Sequence, residues 1–471
     1  MQLNLFDTET KTKHLVTPHD KETLRMYTCG PTIYNFAHIG NFRTYVVEDL
    51  LRRTLRFFGY RVEQAMNLTD IDDKTIRGAI EKGVPLKTFT DPFRLAFFED
   101  LKTLNIEPVE HYPEATAYIP QMIEIIEELI AKGLAYKSPD GSIYYAIRKF
   151  KAYGRLSHFC LNELQVNASG DNLADEYSKD DASDFALWKA YDPTRDGNIY
   201  WESPFGKGRP GWHIECSAMA MSLLGETIDL HCGGVDNMFP HHENEIAQSE
   251  GCSGKRFVRH WMHIEHLLVD HKKMSKSLGN FYTLRDLLFK GFSGSDVRYL
   301  LLSCHYRSQL NFTWDSLHAA KQSLQRIQDL VIRLREMKDP AKNPQPIGAL
   351  LKSADVQFKE ALADDLNISM ALASLFDLIR DLNAYCDKQA IGEQEASVAL
   401  HLFAQWDRVL AIFPLQEEEE IPQVLQKLLH KREEARKQKN FALSDQLRDE
   451  ILMNGYVIED TKTGVRLKKK S

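Results

Sequence analysis

The chain reads as an α/β protein: a Rossmann-like parallel-sheet domain split by an insertion, followed by a helical bundle and a small C-terminal α/β region. Three observations carry this. Leu24 to Thr28 alternates as a short strand does, Gly30-Pro31-Thr32 is a tight turn, and Phe42, Val46, Leu50 and Leu51 have helical spacing. Together they form the strand-turn-helix that opens a nucleotide-binding sheet. The sheet pattern lapses after about Lys132 and returns at Gly211-Trp212-His213-Ile214-Glu215-Cys216. From Ser316 onward the spacing is that of long amphipathic helices.

In order along the chain, residues 1–131 form the first half of the sheet domain, with a second strand over Arg61–Met66 leading into the polar run Asn67-Leu68-Thr69-Asp70-Ile71-Asp72-Asp73. Such a cluster at a strand's carboxyl end is where open parallel sheets place ligands, and an ordinary helix cap is the plain alternative. Residues 132–210 are the insertion, with a short strand at Ile143–Ile147, Asp/Ser-rich loops and no long helix. Residues 211–315 resume the sheet: a strand over Thr227–His231, a glycine turn at Gly233-Gly234, a helix from about His241 and then a Lys/Ser loop. Residues 316–415 hold the helices Ser316–Met337, Leu350–Leu362 and Ile368–Asp387, with a Pro/Asn-rich break over Asp339–Pro346. Residues 416–471 begin with the acidic linker Glu417–Glu420, continue as a basic helix pair and end in a hairpin over Tyr456–Leu467.

With 471 residues the chain exceeds one ordinary core, so two or three domains are expected. No apolar run approaches the roughly 18 residues of a membrane helix, and the N-terminus has neither a signal-peptide pattern nor an Arg-rich transit pattern. A cytoplasmic protein is the expectation. Seven scattered cysteines argue against a disulfide framework and leave thiolates for metal or catalysis. A formal net charge of −8 argues against bulk DNA binding, although local basic patches can still hold RNA. Lys431, Arg432, Arg436, Lys437, Lys439 and Arg448 make such a patch near the C-terminus.

Chemistry concentrates in two stretches and one scattered set of residues. His38 and Asn41 stand at a helix start, where unpaired N–H groups favour phosphate. Lys273-Met274-Ser275-Lys276-Ser277 puts two lysines three apart on a Ser/Gly loop able to close over a triphosphate. Cys29 ends a strand, Cys216 follows an aromatic pair, and His241 and Glu245 share one helix face at i,i+4. Two thiolates, an imidazole and a carboxylate make a plausible Zn²⁺ site, though each residue alone is more often a core or surface group.

His-Ile-Gly-Asn early and Lys-Met-Ser-Lys-Ser late resemble the class I aminoacyl-tRNA synthetases. Cys29-Gly30-Pro31-Thr32-Ile33-Tyr34, Asn67 to Lys74, Gly211 to Met219 and Phe239-Pro240-His241-His242-Glu243-Asn244-Glu245 narrow the resemblance to the cysteinyl-tRNA synthetases, over about Leu24 to Lys462. The resemblance implies ATP-dependent joining of L-cysteine to tRNA(Cys) through cysteinyl-adenylate, with Mg²⁺ accompanying ATP and a monomer as the working form. It places one Zn²⁺ on Cys29, Cys216, His241 and Glu245, and charge stabilisation on His38, Asn41, Lys273 and Lys276. Thr69, Trp212 and His213 would line the amino-acid pocket, Gly233, Gly234 and Asp236 would meet adenosine, and Ser277 would complete the nucleotide set. The bundle and the C-terminal region would bind tRNA.

A metal answers a discrimination problem. Serine differs from cysteine by O for S, and ordinary contacts cannot reject such an isostere by the roughly 10⁴-fold that translation needs; a Zn–thiolate bond favours sulfur directly. The insertion is small for an editing domain. Three departures from the family pattern stand out: Asn41 replaces a histidine, Cys232 a common glycine, and Arg466 a tryptophan. A ligase of the same fold acting on an amino sugar and an idle RNA- or cysteine-binding paralogue are the alternatives.

Overall fold

The structure, a computed structural model, describes residues 1–20, 22–158, 184–275, 278–413, 422–438, 440–461 and 464–469. It divides into two compact units, Met1–Phe413 and Pro414–Ser471. The acidic stretch Glu417–Glu420, Lys276 and Ser277 lie outside the described residues.

The first unit opens with a hairpin, β1 (Asn4–Asp7) and β2 (Thr12–Leu15), before the first sheet strand β3 (Thr23–Thr28). Helix α1 (Ile39–Phe57) follows, buried along Phe42, Tyr45, Val46, Leu50 and Leu51, and then β4 (Arg61–Met66). Helices α2 (Asp73–Lys82), α3 (Leu86–Thr103) and α4 (Ile119–Ala131) lead to the insertion. There β5 (Ala135–Lys137), β6 (Ile143–Tyr145), β7 (Phe185–Ala190) and, after the short α5 (Pro193–Asp196), β8 (Gly208–Pro210) form an antiparallel sheet in that order. Among the described residues the insertion holds no helix longer than α5.

The main sheet resumes through α6 (Trp212–Leu224), β9 (Leu230–Gly234), α7 (Glu243–Ser253) and β10 (Trp261–Ile264). Its order is β10-β9-β3-β4, all parallel, so the loops after β3, β4 and β9 gather at one edge. The expected strand Thr227–His231 is displaced: β9 runs to Gly234, and Gly233-Gly234 pair with His263 and Ile264 rather than forming the turn. Missing side chains make this possible, since a Cβ on Gly233 would stand 2.8 Å from the His242 ring and one on Gly234 2.4 Å from Asp236 Oδ1. The turn comes one step later, over Val235–Asn237.

Three short strands, β11 (Leu267–Val269), β12 (Lys272–Lys273) and β13 (Leu310–Phe312), frame the lysine loop, with α8 (Leu284–Phe289) and α9 (Gly294–Leu302) between the second and third. The bundle contains α10 (Trp314–Arg335), α11 (Gly348–Ala363), α12 (Ile368–Asp387) and α13 (Glu393–Leu410). The last was not expected, although its buried Ala399, Leu402, Phe403, Trp406 and Val409 have helical spacing. The second unit contains α14 (Gln423–Lys437), α15 (Phe441–Met453) and the hairpin β14 (Tyr456–Thr461) with β15 (Gly464–Lys469), around a small core of Leu425, Leu447, Ile451 and Leu467.

Candidate active site and metal cluster

A pocket of about 350 Å³ opens at the carboxyl edge of the sheet. Its walls include Cys29, His38, Asn41, Thr69, Trp212, Cys216, Gly234, Asp236, His241 and Lys273, drawn from every motif singled out above. His213 and Gly233 stand one layer behind the wall, and Glu245 lies beneath the cluster.

The chain after β3 turns sharply because Gly30 has no side chain: a Cβ there would fall 1.8 Å from the Asn67 carbonyl oxygen, so β3 and β4 exit loops lie backbone to backbone. Gly30 N–H donates to Asn67 Oδ1 at 2.9 Å, and Asn67 Nδ2 donates to Thr69 Oγ1 at 3.1 Å. Thr69 in turn donates to Glu215 Oε2 at 3.1 Å, a carboxyl that burial pushes well above its usual range. The polar run after β4 serves two ends at once. Asn67 and Thr69 face the pocket, whereas Asp72 caps α2 by accepting from Thr75 N–H at 2.7 Å.

Ligand atoms of Cys29, Cys216, His241 and Glu245 all lie within 4.8 Å of one another, and all four residues are buried. Tetrahedral Zn²⁺ with bonds of about 2.0–2.3 Å implies ligand separations of about 3.3–3.8 Å, so this spacing suits such an ion. One carboxylate oxygen, Glu245 Oε2, accepts from His231 Nε2 at 2.9 Å. The other, Oε1, is 3.1 Å from His241 Nε2 and has no hydrogen-bond partner, an oxygen left for a cation. The cluster polarises itself accordingly. Burial opposes ionisation of Cys216, yet the Cys29 hydrogen bond and the His241 ring outweigh it and hold that thiol down at about 6. Burial would likewise depress His241, but Cys216 and Glu245 lift it to about 10, a proton doing what a cation would do. Against its own burial, Glu245 is held at about 2 by His231 and His241.

A second quartet, Cys29, His231, His242 and Glu245, meets the same distance criterion. Only the first has three members on the pocket wall, where an ion could also touch a substrate. In the second, His242 Nε2 is 3.3 Å from Cys29 Sγ and its Nδ1 is 2.8 Å from His263 Nε2, whose Nδ1 is 2.8 Å from Thr8 Oγ1. His231, His242 and His213, whose Nδ1 is 3.0 Å from His241 Nδ1, hold Glu245, Cys29 and His241 from behind. Sequence reasoning missed His231, His242 and His263; the adjacent pair His241-His242 was the one visible signal. Trp212 covers the cluster with its ring stacked on His241 at 4.2 Å.

On the opposite wall His38 is the N-cap of α1. Its Nδ1 accepts from Asn41 N–H at 3.2 Å, and Asn41 Oδ1 accepts from His38 N–H at 3.1 Å. Burial lowers the His38 pKa to about 4, so the ring is neutral near pH 7 and its proton sits on Nε2. Asn41 therefore spends its oxygen on the cap and keeps its NH₂ as a donor. The lysine loop lies alongside: Ile39 N–H donates to Tyr282 O at 3.0 Å, and Met274 lies against Gly40. Asn280 closes the loop base, donating to Lys273 O at 3.2 Å and accepting from Ser275 N–H at 2.8 Å.

Comparison with known proteins extends this local picture to the whole chain. The family model for tRNA synthetases class I (C) catalytic domain matches residues 15–322. A DALR domain model matches 357–414, and one for the cysteinyl-tRNA ligase anticodon binding domain matches 418–466. A cysteine–tRNA ligase of Protochlamydia amoebophila is 58% identical over 468 residues, covering 99% of this chain and 98% of that protein. One of Chlamydia muridarum is 54% identical over 478 residues, covering 100% of each. The solved Mycobacterium tuberculosis methionyl-tRNA synthetase in complex with methionyl-adenylate aligns with a TM-score of 0.58 at 16% identity, over 83% of this chain and 88% of that one, a likeness of fold.

Proposed function

The chain belongs to the cysteine–tRNA ligase family of class I synthetases, and from that premise we propose how its site performs the reaction. The enzyme joins L-cysteine to the 3′ end of tRNA(Cys) in two steps. The cysteine carboxylate attacks the α-phosphorus of Mg·ATP and displaces pyrophosphate; a hydroxyl of the tRNA's terminal ribose then takes the acyl group and AMP leaves. Neither step needs a protein nucleophile, so the work is positioning and charge stabilisation.

His38 donates from Nε2 and Asn41 from its NH₂ to phosphate oxygens at the start of α1, where the helix dipole adds to them. Lys273 and Lys276 hold the β- and γ-phosphates, and Ser277 joins them on the loop. Gly234 and, behind it, Gly233 let the nucleoside approach backbone, and Asp236 accepts from ribose hydroxyls. Thr69 and Trp212 bound the amino acid, with His213 steadying His241. Cys29, Cys216, His241 and Glu245 would hold Zn²⁺, which supplies a soft Lewis acid that prefers the thiolate of cysteine to the hydroxyl of serine.

The observation that carries this reading is the meeting of four soft and hard donors from three distant segments, three on one wall of the pocket and Glu245 beneath it, opposite the helix start at His38. Free thiols and the use of ATP fit a cytoplasmic enzyme, acting as a monomer; among the described residues no helix is long and apolar enough to cross a membrane. Cysteine- and serine-dependent ATP–pyrophosphate exchange, tRNA charging and metal analysis on one preparation test it. The expected result is one zinc per chain and exchange with cysteine alone; intact cysteine selectivity in zinc-free protein would overturn the metal assignment.

A further inference from the structure

A second groove, of about 480 Å³, adjoins the pocket and shares Tyr34, Asn35 and Lys74 with it. Its chemistry differs from the pocket's. Aromatic rings form its floor and rim: Phe89 and Phe93 lie with ring centres 5.5 Å apart, and Phe93 meets Phe36 edge-on, also at 5.5 Å. Gly78 on α2 makes room for this floor, since a Cβ there would stand 2.2 Å from the Phe89 ring. Tyr34 and Phe36 are 36% and 40% exposed, high for rings held in place by neighbours. Lys74 lies 5.5 Å from the Tyr34 ring centre, Lys82 lies 5.2 Å from that of Phe89, and the Arg285 guanidinium lies 4.8 Å from that of Phe36.

Charge along the groove is lopsided: Lys74, Arg77 and Lys82 line it against the single carboxylate of Glu81. Interleaved rings and cations are what unpaired nucleotides require, each base offering a π-face and each phosphate a negative charge. A duplex would offer its phosphates but no base faces for Tyr34 and Phe36. A mononucleotide is already provided for inside the pocket.

We propose that this groove guides the single-stranded 3′ end of the tRNA into the site, its bases stacking on Tyr34 and Phe36 and its phosphates meeting Lys74, Arg77 and Lys82. The assignment rests on the reading that the enzyme charges tRNA, and it names the path by which the terminal ribose reaches the adenylate. The groove ends at the pocket through shared residues, so a chain lying in it has its last nucleotide at the reacting carbonyl.

The test compares tRNA(Cys) with and without its unpaired 3′ nucleotides, binding to the full-length wild type and to the Arg77→Ala/Lys82→Ala and Phe36→Leu variants. Removing the 3′ end is expected to weaken wild-type binding about 10-fold and to weaken each variant by less than about 3-fold, because the contacts are already gone. If every protein loses the same factor on truncation, the proposal is overturned: variants that bind both RNAs as tightly as the wild type would show that the groove does not touch tRNA, and variants weakened equally on both would show that it holds the duplex instead. Cysteine-dependent ATP–pyrophosphate exchange, which uses no RNA, is expected to persist in Arg77→Ala/Lys82→Ala and reports that the variant is folded. Wild-type protein lacking that exchange would sink the functional reading itself, a separate failure.

Discussion

The two walls of the pocket are built on opposite principles. The wall proposed to bind sulfur is buried, comes from the ends of strands and the interior of helices, and is held from behind by His213, His231 and His242. The wall proposed to bind phosphate is a helix start plus Lys273, exposed on a two-residue strand. Coordination tolerates errors of a few tenths of an ångström and so needs a rigid frame. A triphosphate is bound by charge, which falls off slowly with distance, and must be released after each turnover. In the proposed function, rigidity thus belongs where sulfur would be told from oxygen, and adaptability where a leaving group would depart.

The sharpest way to break this contrast is Cys216→Ser. It is expected to remove bound zinc and cut cysteine-dependent ATP–pyrophosphate exchange by about 10³-fold or more, with ATP binding unchanged; zinc-replete, selective protein would show that Cys216 is not a ligand and that the proposed quartet is wrong. Next comes Lys276→Ala, or Lys273→Ala, expected to slow adenylate formation by about 10²-fold while cysteine affinity holds. Equal losses in both, measured by pre-steady-state adenylate formation and calorimetry with cysteine, would mean the walls are not separable. Asp236→Asn should raise the KM for ATP by about 10-fold, the usual scale for a weakened ribose contact, with the KM for cysteine untouched.

The smallest effect concerns stability. His38 is held neutral with a pKa near 4 against 6.5 in the unfolded chain, so between those values the folded state binds fewer protons and stability falls as pH drops. At up to about 1.4 kcal/mol per pH unit, acidification from pH 7 to pH 5 is expected to cost about 1–2 kcal/mol through this residue. His38→Asn keeps a capping oxygen and removes the titration, so urea unfolding at the two pH values should show a shallower loss in the variant. An unchanged slope would place His38 in solvent, and the phosphate wall would then be looser than its cap geometry implies.

Legibility in the sequence follows local structure. The strand-turn-helix at Thr23–Phe57, the sheet's second strand at Arg61–Met66 and the bundle helix Ile368–Asp387 have periods that one segment fixes by itself. Gly233-Gly234 was misplaced because glycine usually marks a turn; here it lets β9 pass close to His242 and Asp236, a constraint supplied by another segment. Helix α13 has a helical apolar spacing of its own, yet the segment was not expected to be helical. Arg77, Lys82, Phe89 and Phe93 belong to no motif, and Tyr34 and Lys74 only end two of them; all acquire this meaning only as neighbours across a groove.

By itself, then, the order of residues determined which groups this protein has for its chemistry: thiols, imidazoles, a carboxylate and paired lysines on segments with readable local form. Only the tertiary structure decided which of them share a volume. Cys29 and Cys216 are 187 residues apart in sequence, and whether their sulfurs meet depends on parallel strand order and on which helices cover the sheet. Such long-range packing is set by the summed burial of many side chains rather than by any one stretch. The same holds for the two overlapping quartets: only the tertiary structure shows that one of them has three members on the pocket wall and the other has one.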